Sequence, residues 1–353
     1  MALRTVIIPV LEPDDRFAAL VQSVRESDPS GQTRVIVVND GSSPACGPVF
    51  EAAGAWAVIL RHESNQGKGA ALKTAFRYLL EQNLCEGTIA LMDGDGQHRI
   101  EDVRHLLEEA GKGGSGIYLG SRRFTGKVPL RSRLGNTITR KVFGLVMGQE
   151  IYDTQTGLRA FPAGLLRWML LVPGERYEYE ICMLMRAVEE QIPVFEVPVR
   201  TVYENNNAGS HFRTVRDSWR IYRRIFSRPA RFLGNSLLSF LADYLAYAAL
   251  IILGLSLVWA NVLARIGSGG INYFINRNFV FGAGGGGKSL SRYICLAACI
   301  LLADTLLLRG LVSGLGIPPL AAKLIVEPVL FLVSWTVQRR KIFRHVRGGQ
   351  SYA

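Results

Sequence analysis

Four apolar stretches near the end of this chain, at about 233–258, 261–281, 293–312 and 320–337, constrain its fold more than anything before them. Each is close to the roughly 20 residues a helix needs to cross the core of a bilayer. The second is the weakest, because Arg265, Asn272, Asn276 and Arg277 interrupt it. The first 200 residues have only short apolar runs separated by turns, the pattern of a soluble α/β domain. The 353 residues leave room for a part that folds in water and a part built in lipid.

The formal charge of +12 is unevenly placed. Arg213, Arg216, Arg220, Arg223, Arg224, Arg228 and Arg231 stand against the single acid Asp217, with Phe212, Val215, Trp219, Tyr222 and Phe226 between them at helical spacing. A nucleic-acid arm looks partly similar, but this stretch runs straight into the first apolar span. The expected partner is therefore an anionic lipid bilayer and no nucleic acid. Basic residues also follow the second span (Lys288, Arg292) and the fourth (Arg339, Arg340, Lys341, Arg344, Arg347), while the other two connections are short and nearly free of them. That asymmetry predicts a multi-pass protein of the cell (inner) membrane with both termini in the cytosol. Met1 to Thr5 contains no signal peptide, so the first domain is expected in the cytosol as well. The five cysteines have no ligand spacing and read as small buried residues of a reducing compartment. Asp243, Asp304, Glu327, Arg265 and Arg309 lie inside the spans, where ionisable groups pair within the bundle; Glu327 is expected to pair with Arg265.

In the soluble half the informative stretch begins at Thr88. Its apolar β-formers end in Asp93-Gly94-Asp95-Gly96-Gln97-His98, and a helix starts near Ile100. Ligands of parallel α/β sheets gather at the carboxyl ends of strands. Two carboxylates at that place suit Mg²⁺, which takes one or two of them and completes its shell with water and phosphate oxygens. A solvated Asp-Gly turn is the plain alternative. Two earlier strands, about 3–10 and 34–39, end at Pro9 to Glu12 and at Asn39-Asp40. The stretch Asn65-Gln66-Gly67-Lys68-Gly69 opens a helix whose glycines and N–H groups would let an anion approach, without the spacing of a Walker loop. From Leu130 to Met147 a helix repeats Leu130, Leu134, Ile138, Val142 and Val146 every fourth residue, a stripe for the bilayer interface or for docking on the sheet.

Val38-Asn39-Asp40-Gly41-Ser42, Asn65-Gln66-Gly67-Lys68-Gly69 and Asp93-Gly94-Asp95-Gly96-Gln97 resemble motifs of family 2 glycosyltransferases, most closely the polyprenyl-phosphate branch of the dolichyl-phosphate mannose synthase type. The resemblance spans about 3–226 and implies a GT-A, Rossmann-like nucleotide-diphospho-sugar transferase fold. It implies that Asp93, Asp95 and Gln97 bind Mg²⁺ or Mn²⁺. It gives Pro9, Glu12, Asp40 and Lys68, with Asp93 and Asp95, to a UDP- or GDP-sugar donor. Arg122, Arg131 and Arg133 are implied for the phosphate of a polyprenyl acceptor, undecaprenyl or dolichyl, and Asp93, Asp95, Arg122 and Arg131 for catalysis. Leu11 and Pro13 depart from the family's first-strand pattern and leave UDP or GDP open. Tyr152 to Phe161 matches a segment implied for the acceptor side, although Thr156 and Arg159 can equally hold the loop. Glu175 and Glu178 face the sugar or merely begin a helix. The loop Glu204 to His211 would close over the nucleotide.

Asn272 to Phe281 and Gln338 to Phe343 resemble signatures of GtrA-type four-helix membrane domains over about 232–345. The expected order is a cytosolic GT-A domain at 1–210, a basic interfacial helix at 211–231, an all-α transmembrane domain at 232–345 and a cytosolic tail at 346–353. The expected activity is an inverting, metal-dependent transfer of one sugar to polyprenyl phosphate, by a homo-oligomer of thin helical bundles. A processive polysaccharide synthase is the alternative, but its Q-x-x-R-W motif does not occur. A flippase or anchor with a degenerate transferase domain is the other.

Overall fold

A computed structural model describes residues 3–28, 30–122, 130–200, 214–276, 278 and 287–338. The chain divides into two compact units between Ile225 and Phe226. The division falls inside the stretch 211–231 expected as one interfacial helix.

The first unit alternates strand and helix: β1 (Arg4–Val10), α1 (Phe17–Glu26), β2 (Thr33–Asn39), α2 (Gly47–Ala53), β3 (Val58–Arg61), α3 (Lys68–Glu81), β4 (Thr88–Leu91), α4 (Ile100–Lys112), β5 (Ile117–Arg122), α5 (Leu130–Met147), β6 (Arg159–Pro162), α6 (Leu166–Leu170), α7 (Glu178–Glu189), β7 (Val194–Val199) and α8 (Thr214–Ile225). The strands form one sheet in the order β3-β2-β1-β4-β6-β5-β7. Only β6 among them runs antiparallel to its neighbours β4 and β5.

Strand side chains alternate between the two faces of a sheet, and the continuous apolar runs read in the sequence are buried on both. Ile7, Ile36, Val38, Ile89 and Leu91 pack under α3, α6 and α7. Val6, Ile8, Val10, Val35, Val37, Ala90 and Met92 pack under α1, α2 and α4. This is the mixed-sheet GT-A architecture, and it leaves the ends of β1, β2 and β4 on one edge.

Two amphipathic helices differ in part from their sequence reading. In α5, Leu134 and Ile138 are exposed, while Val142 and Val146 pack against the core around Phe143. A repeat of four drifts about 40° per step around a helix of 3.6 residues per turn, so one stripe passes from solvent to core. In α8, Ile221 and Ile225 are buried in the soluble core, while Trp219 is 68% exposed.

The second unit is helical: α9 (Ser227–Ile252), α10 (Leu257–Ile275), α11 (Gly287–Arg309) and α12 (Pro319–Val337). Among the described residues three segments, Pro229–Ile252, Ser291–Gly314 and Pro319–Val337, are long and apolar enough to cross a membrane. Helix α10 is not among them; Asn261, Arg265 and Asn272 interrupt its apolar run. The expected pair forms, with Arg265 Nη2 at 2.5 Å from Glu327 Oε1. Asp243 and Asp304 join it, as does Lys323, which the sequence reading did not single out. Arg309 is exposed at the end of α11.

Candidate active site

The crevice is built by strand register. Leu91 of β4 pairs with Arg159 of the antiparallel β6. Two residues beyond Leu91, Asp93 meets the position two residues before Arg159, which is Gly157. A Cβ on Gly157 would stand 2.2 Å from Asp93 Oδ2, so only a hydrogen fits there.

Three further elements converge on Asp93. Lys68, in the first turn of α3, contacts Asp93 Oδ1 and donates to Glu180 Oε1 of α7 at 2.6 Å. Nε2 of the buried His98 lies 3.6 Å from Asp93 Oδ2 and has no hydrogen-bond partner. Burial works to lower the Lys68 ammonium, but the Asp93 and Glu180 charges outweigh it and hold it raised. Burial likewise works to raise Asp93, and Lys68 and His98 outweigh that, keeping it well below the usual carboxylate range. Desolvation in the crevice, then the charge of Asp93, push the more open Asp95 upward. Burial pushes the Tyr177 phenol beside these charges up to about 12.

A divalent cation fits this donor set. Two hard carboxylates stand together, with Asp95 raised by burial and by the charge of Asp93. Among the described residues no three His, Cys, Asp or Glu side chains make a complete cage. A cation held by the two carboxylates would have to complete its shell with water and diphosphate oxygens. Gln97 stands two residues beyond Asp95, its backbone N–H donating to Asp95 Oδ1 at 3.1 Å.

Other expected residues have structural partners. Asp40 is buried; it accepts the N–H groups of Gln66 (2.9 Å) and Gly67 (2.8 Å) and pairs with His62 Nδ1 (2.8 Å). It latches the start of α3. Gly67, at φ +108°, lies where a Cβ would strike Glu175 O, and the Ala70 N–H donates to that same carbonyl at 2.8 Å. The glycine-rich opening of α3 thus admits the segment before α7, a correction to its reading as an open anion cradle. Glu12 ties the end of β1 to the loop after β2 by accepting Ser43 N–H at 2.7 Å. Pro9 lies within β1, opposite Val38.

Arg122 is gripped by the fully buried Asp153, with Nε at 2.6 Å and Nη2 at 3.0 Å from its two oxygens. The side chains of Arg131 and Arg133 lie outside the described residues, as do the loop 204–211 and the tail after 338. Thr156 and Arg159 hold the loop: Thr156 Oγ1 donates to Gly120 O at 2.7 Å, and Arg159 Nε to Thr156 O at 3.0 Å. Glu175 pairs with Lys73, and Glu178 caps the N–H groups of Glu175 and Arg176. The acid that reaches the site is Glu180. Glu180, His98 and Gly157 were missed as site residues; only the Asp-Gly-Asp-Gly-Gln-His run gave a local hint of one of them.

Residues 5–170 match the glycosyl transferase family 2 model, and residues 231–343 match the GtrA/DPMS transmembrane domain. The chain carries a family 2 glycosyltransferase domain joined to a GtrA/DPMS transmembrane domain. It is a membrane-bound glycosyltransferase. A polyprenol monophosphomannose synthase of Mycolicibacterium smegmatis is 28% identical to the transferase over 226 residues, 59% of this chain and 82% of its own. A UDP-N-acetylglucosamine–dolichyl-phosphate N-acetylglucosaminyltransferase of Methanococcus voltae is 29% identical over 152 residues, 41% of this chain and 59% of its own. Glucosyl-3-phosphoglycerate synthase of Mycobacterium tuberculosis, solved with Mn²⁺, UDP-glucose and phosphoglyceric acid, shares the fold. Its TM-score is 0.50 at 16% identity, over 64% of this chain and 79% of that one.

Proposed function

We propose that this glycosyltransferase moves one sugar from a UDP- or GDP-sugar to a polyprenyl phosphate, with inversion, at the cytosolic membrane face. The observation that carries the reading is the convergence of Asp93, Lys68 and Glu180 at the strand ends, with Gly157 moulded to Asp93. The names of the two relatives, each a transferase to a lipid phosphate, support the acceptor class.

Asp93 and Asp95, with Gln97 beside them, would hold Mg²⁺ or Mn²⁺, which when bound neutralises charge developing on the leaving diphosphate. Lys68 adds a positive charge at the same edge, oriented by Glu180. The acceptor phosphate is already anionic near neutral pH and needs no strong base; the obstacle is repulsion between two anions. Arg131 and Arg133 offset that repulsion, while Asp153 fixes the direction of Arg122. Direct displacement by a phosphate oxygen inverts the anomeric carbon. In this reading the transferase domain and both chain ends are cytosolic, all four helices span, and copies associate through the exposed apolar faces of the bundle.

The test is the purified full chain with each common UDP- and GDP-sugar and undecaprenyl phosphate. A lipid carrying a single sugar of inverted configuration, lost on chelation of divalent metal, is expected. A polymer, or no lipid product from any donor, refutes the reading.

A further inference from the structure

We propose that the transmembrane domain binds one exchangeable proton, carried by Glu327 inside a five-residue charge cluster. The four helices each contribute to it: Asp243 from α9, Arg265 from α10, Asp304 from α11, and Lys323 and Glu327 from α12. Arg265 Nη2 lies 2.7 Å from Asp304 Oδ2 and 2.5 Å from Glu327 Oε1, with its Nε 3.8 Å from Asp243. Lys323 Nζ lies 2.7 Å from Asp243 Oδ2 and 4.0 Å from Asp304, and donates to Asn261 Oδ1 at 2.7 Å. Its ammonium also stands over the Tyr247 ring.

The count does not balance. Among the described residues three carboxylates meet two cations, which leaves one net negative charge among helices whose outer faces are apolar. An unpaired charge is strongly disfavoured in that surrounding. One proton from water brings the cluster to neutrality. Its polar capacity is also unfilled, since Asp304 Oδ1 and the Tyr247 hydroxyl are fully buried without a hydrogen-bond partner.

The location on Glu327 follows from access. Asp243 is 1% exposed and held by Lys323 and Ser268; Asp304 is 0% exposed and held between both bases. Glu327 keeps 15% exposure, and among the described residues Arg265 is its one ion-pair and hydrogen-bond partner. With Arg265 it lines a cavity of about 410 Å³ whose other polar lining includes Ser239, Asn272, Tyr293, Ser334 and Gln338. The rest of its lining is mostly apolar, so water, and with it a proton, reaches Glu327 along this polar side. When it binds, Arg265 and Lys323 are left balanced against Asp243 and Asp304.

The test is infrared difference spectroscopy of the full chain in nanodiscs, between about pH 5 and pH 9. Wild type should show a protonated-carboxyl carbonyl band that shifts in D₂O. Glu327→Gln, which keeps shape and an acceptor for Arg265, should remove it. Lys323→Met takes away one base, so the cluster should hold a second proton and the band should roughly double. The wild-type band and its D₂O shift need no variant, so the test survives a variant that does not fold. Absence of the band in wild type, or an unchanged band in Glu327→Gln, overturns the proposal. So does a band that appears only when choline replaces sodium, because a metal ion would then be the compensating charge.

Discussion

Replacing Gly157 by alanine puts one methyl group against the carboxylate on which the site depends. The added Cβ would lie 2.2 Å from Asp93 Oδ2, 2.6 Å from Cγ and 2.7 Å from Oδ1. Ordinary carbon–oxygen contact begins near 3.3 Å, so the carboxylate must retreat by about 1 Å. It has little freedom to do so. Lys68 holds Oδ1, and His98 Nε2 lies 3.6 Å from Oδ2. Gly157 is not among the glycines with a left-handed backbone, so alanine adds no strain of its own there. A misplacement of about 1 Å at reacting groups lowers rate by about 100-fold, equivalent to about 2.7 kcal/mol of barrier. We expect Gly157→Ala to lower kcat/KM for sugar transfer by about that factor and to weaken Mn²⁺ binding measured by electron paramagnetic resonance. Its thermal unfolding in detergent should stay near wild type. Transfer within about threefold of wild type, with unchanged Mn²⁺ affinity, would refute the argument that Gly157 sets the position of Asp93.

Three further outcomes follow from the same geometry. Asp93→Asn should reduce transfer to background while the protein remains folded and in the membrane, checked by product formation and size-exclusion profile. Lys68→Met removes the ammonium that competes for Asp93, so Mn²⁺ should bind about tenfold tighter while transfer slows; titration of both variants against wild type decides it. Asp153→Asn leaves Arg122 without its buried partner and should lower stability by about 3 kcal/mol, measured by denaturant unfolding. That figure is the low end for buried pairs, because Arg122 keeps 19% exposure.

Much of this architecture is written in local patterns. Doubly apolar runs specify β1, β2 and β4 as interior strands, and each helix start follows a turn visible in the sequence. Asp93 and Asp95 are legible as site residues because a strand that ends in acids must deliver them to the sheet's edge. The membrane spans are legible because bilayer thickness sets a length that composition must fill. Even the Arg265–Glu327 pair follows from depth alone, since both groups must find partners away from lipid.

What pairing across the fold decided is of a different kind. Lys68 and Glu180 are 112 residues apart, and nothing near either one marks the other. Gly157 owes its role to β6 running against β4, a choice of direction that no short window encodes. The glycines of α3 look like ligand contacts in the chain, yet they admit the segment before α7, and Asp40 holds the N–H groups of Gln66 and Gly67. Period and composition act over one turn or one strand, whereas the partners of a buried charge are set by register and helix crossing. Hence the chain alone names the elements and their chemistry, and the folded molecule names the neighbours that hold each charge in place.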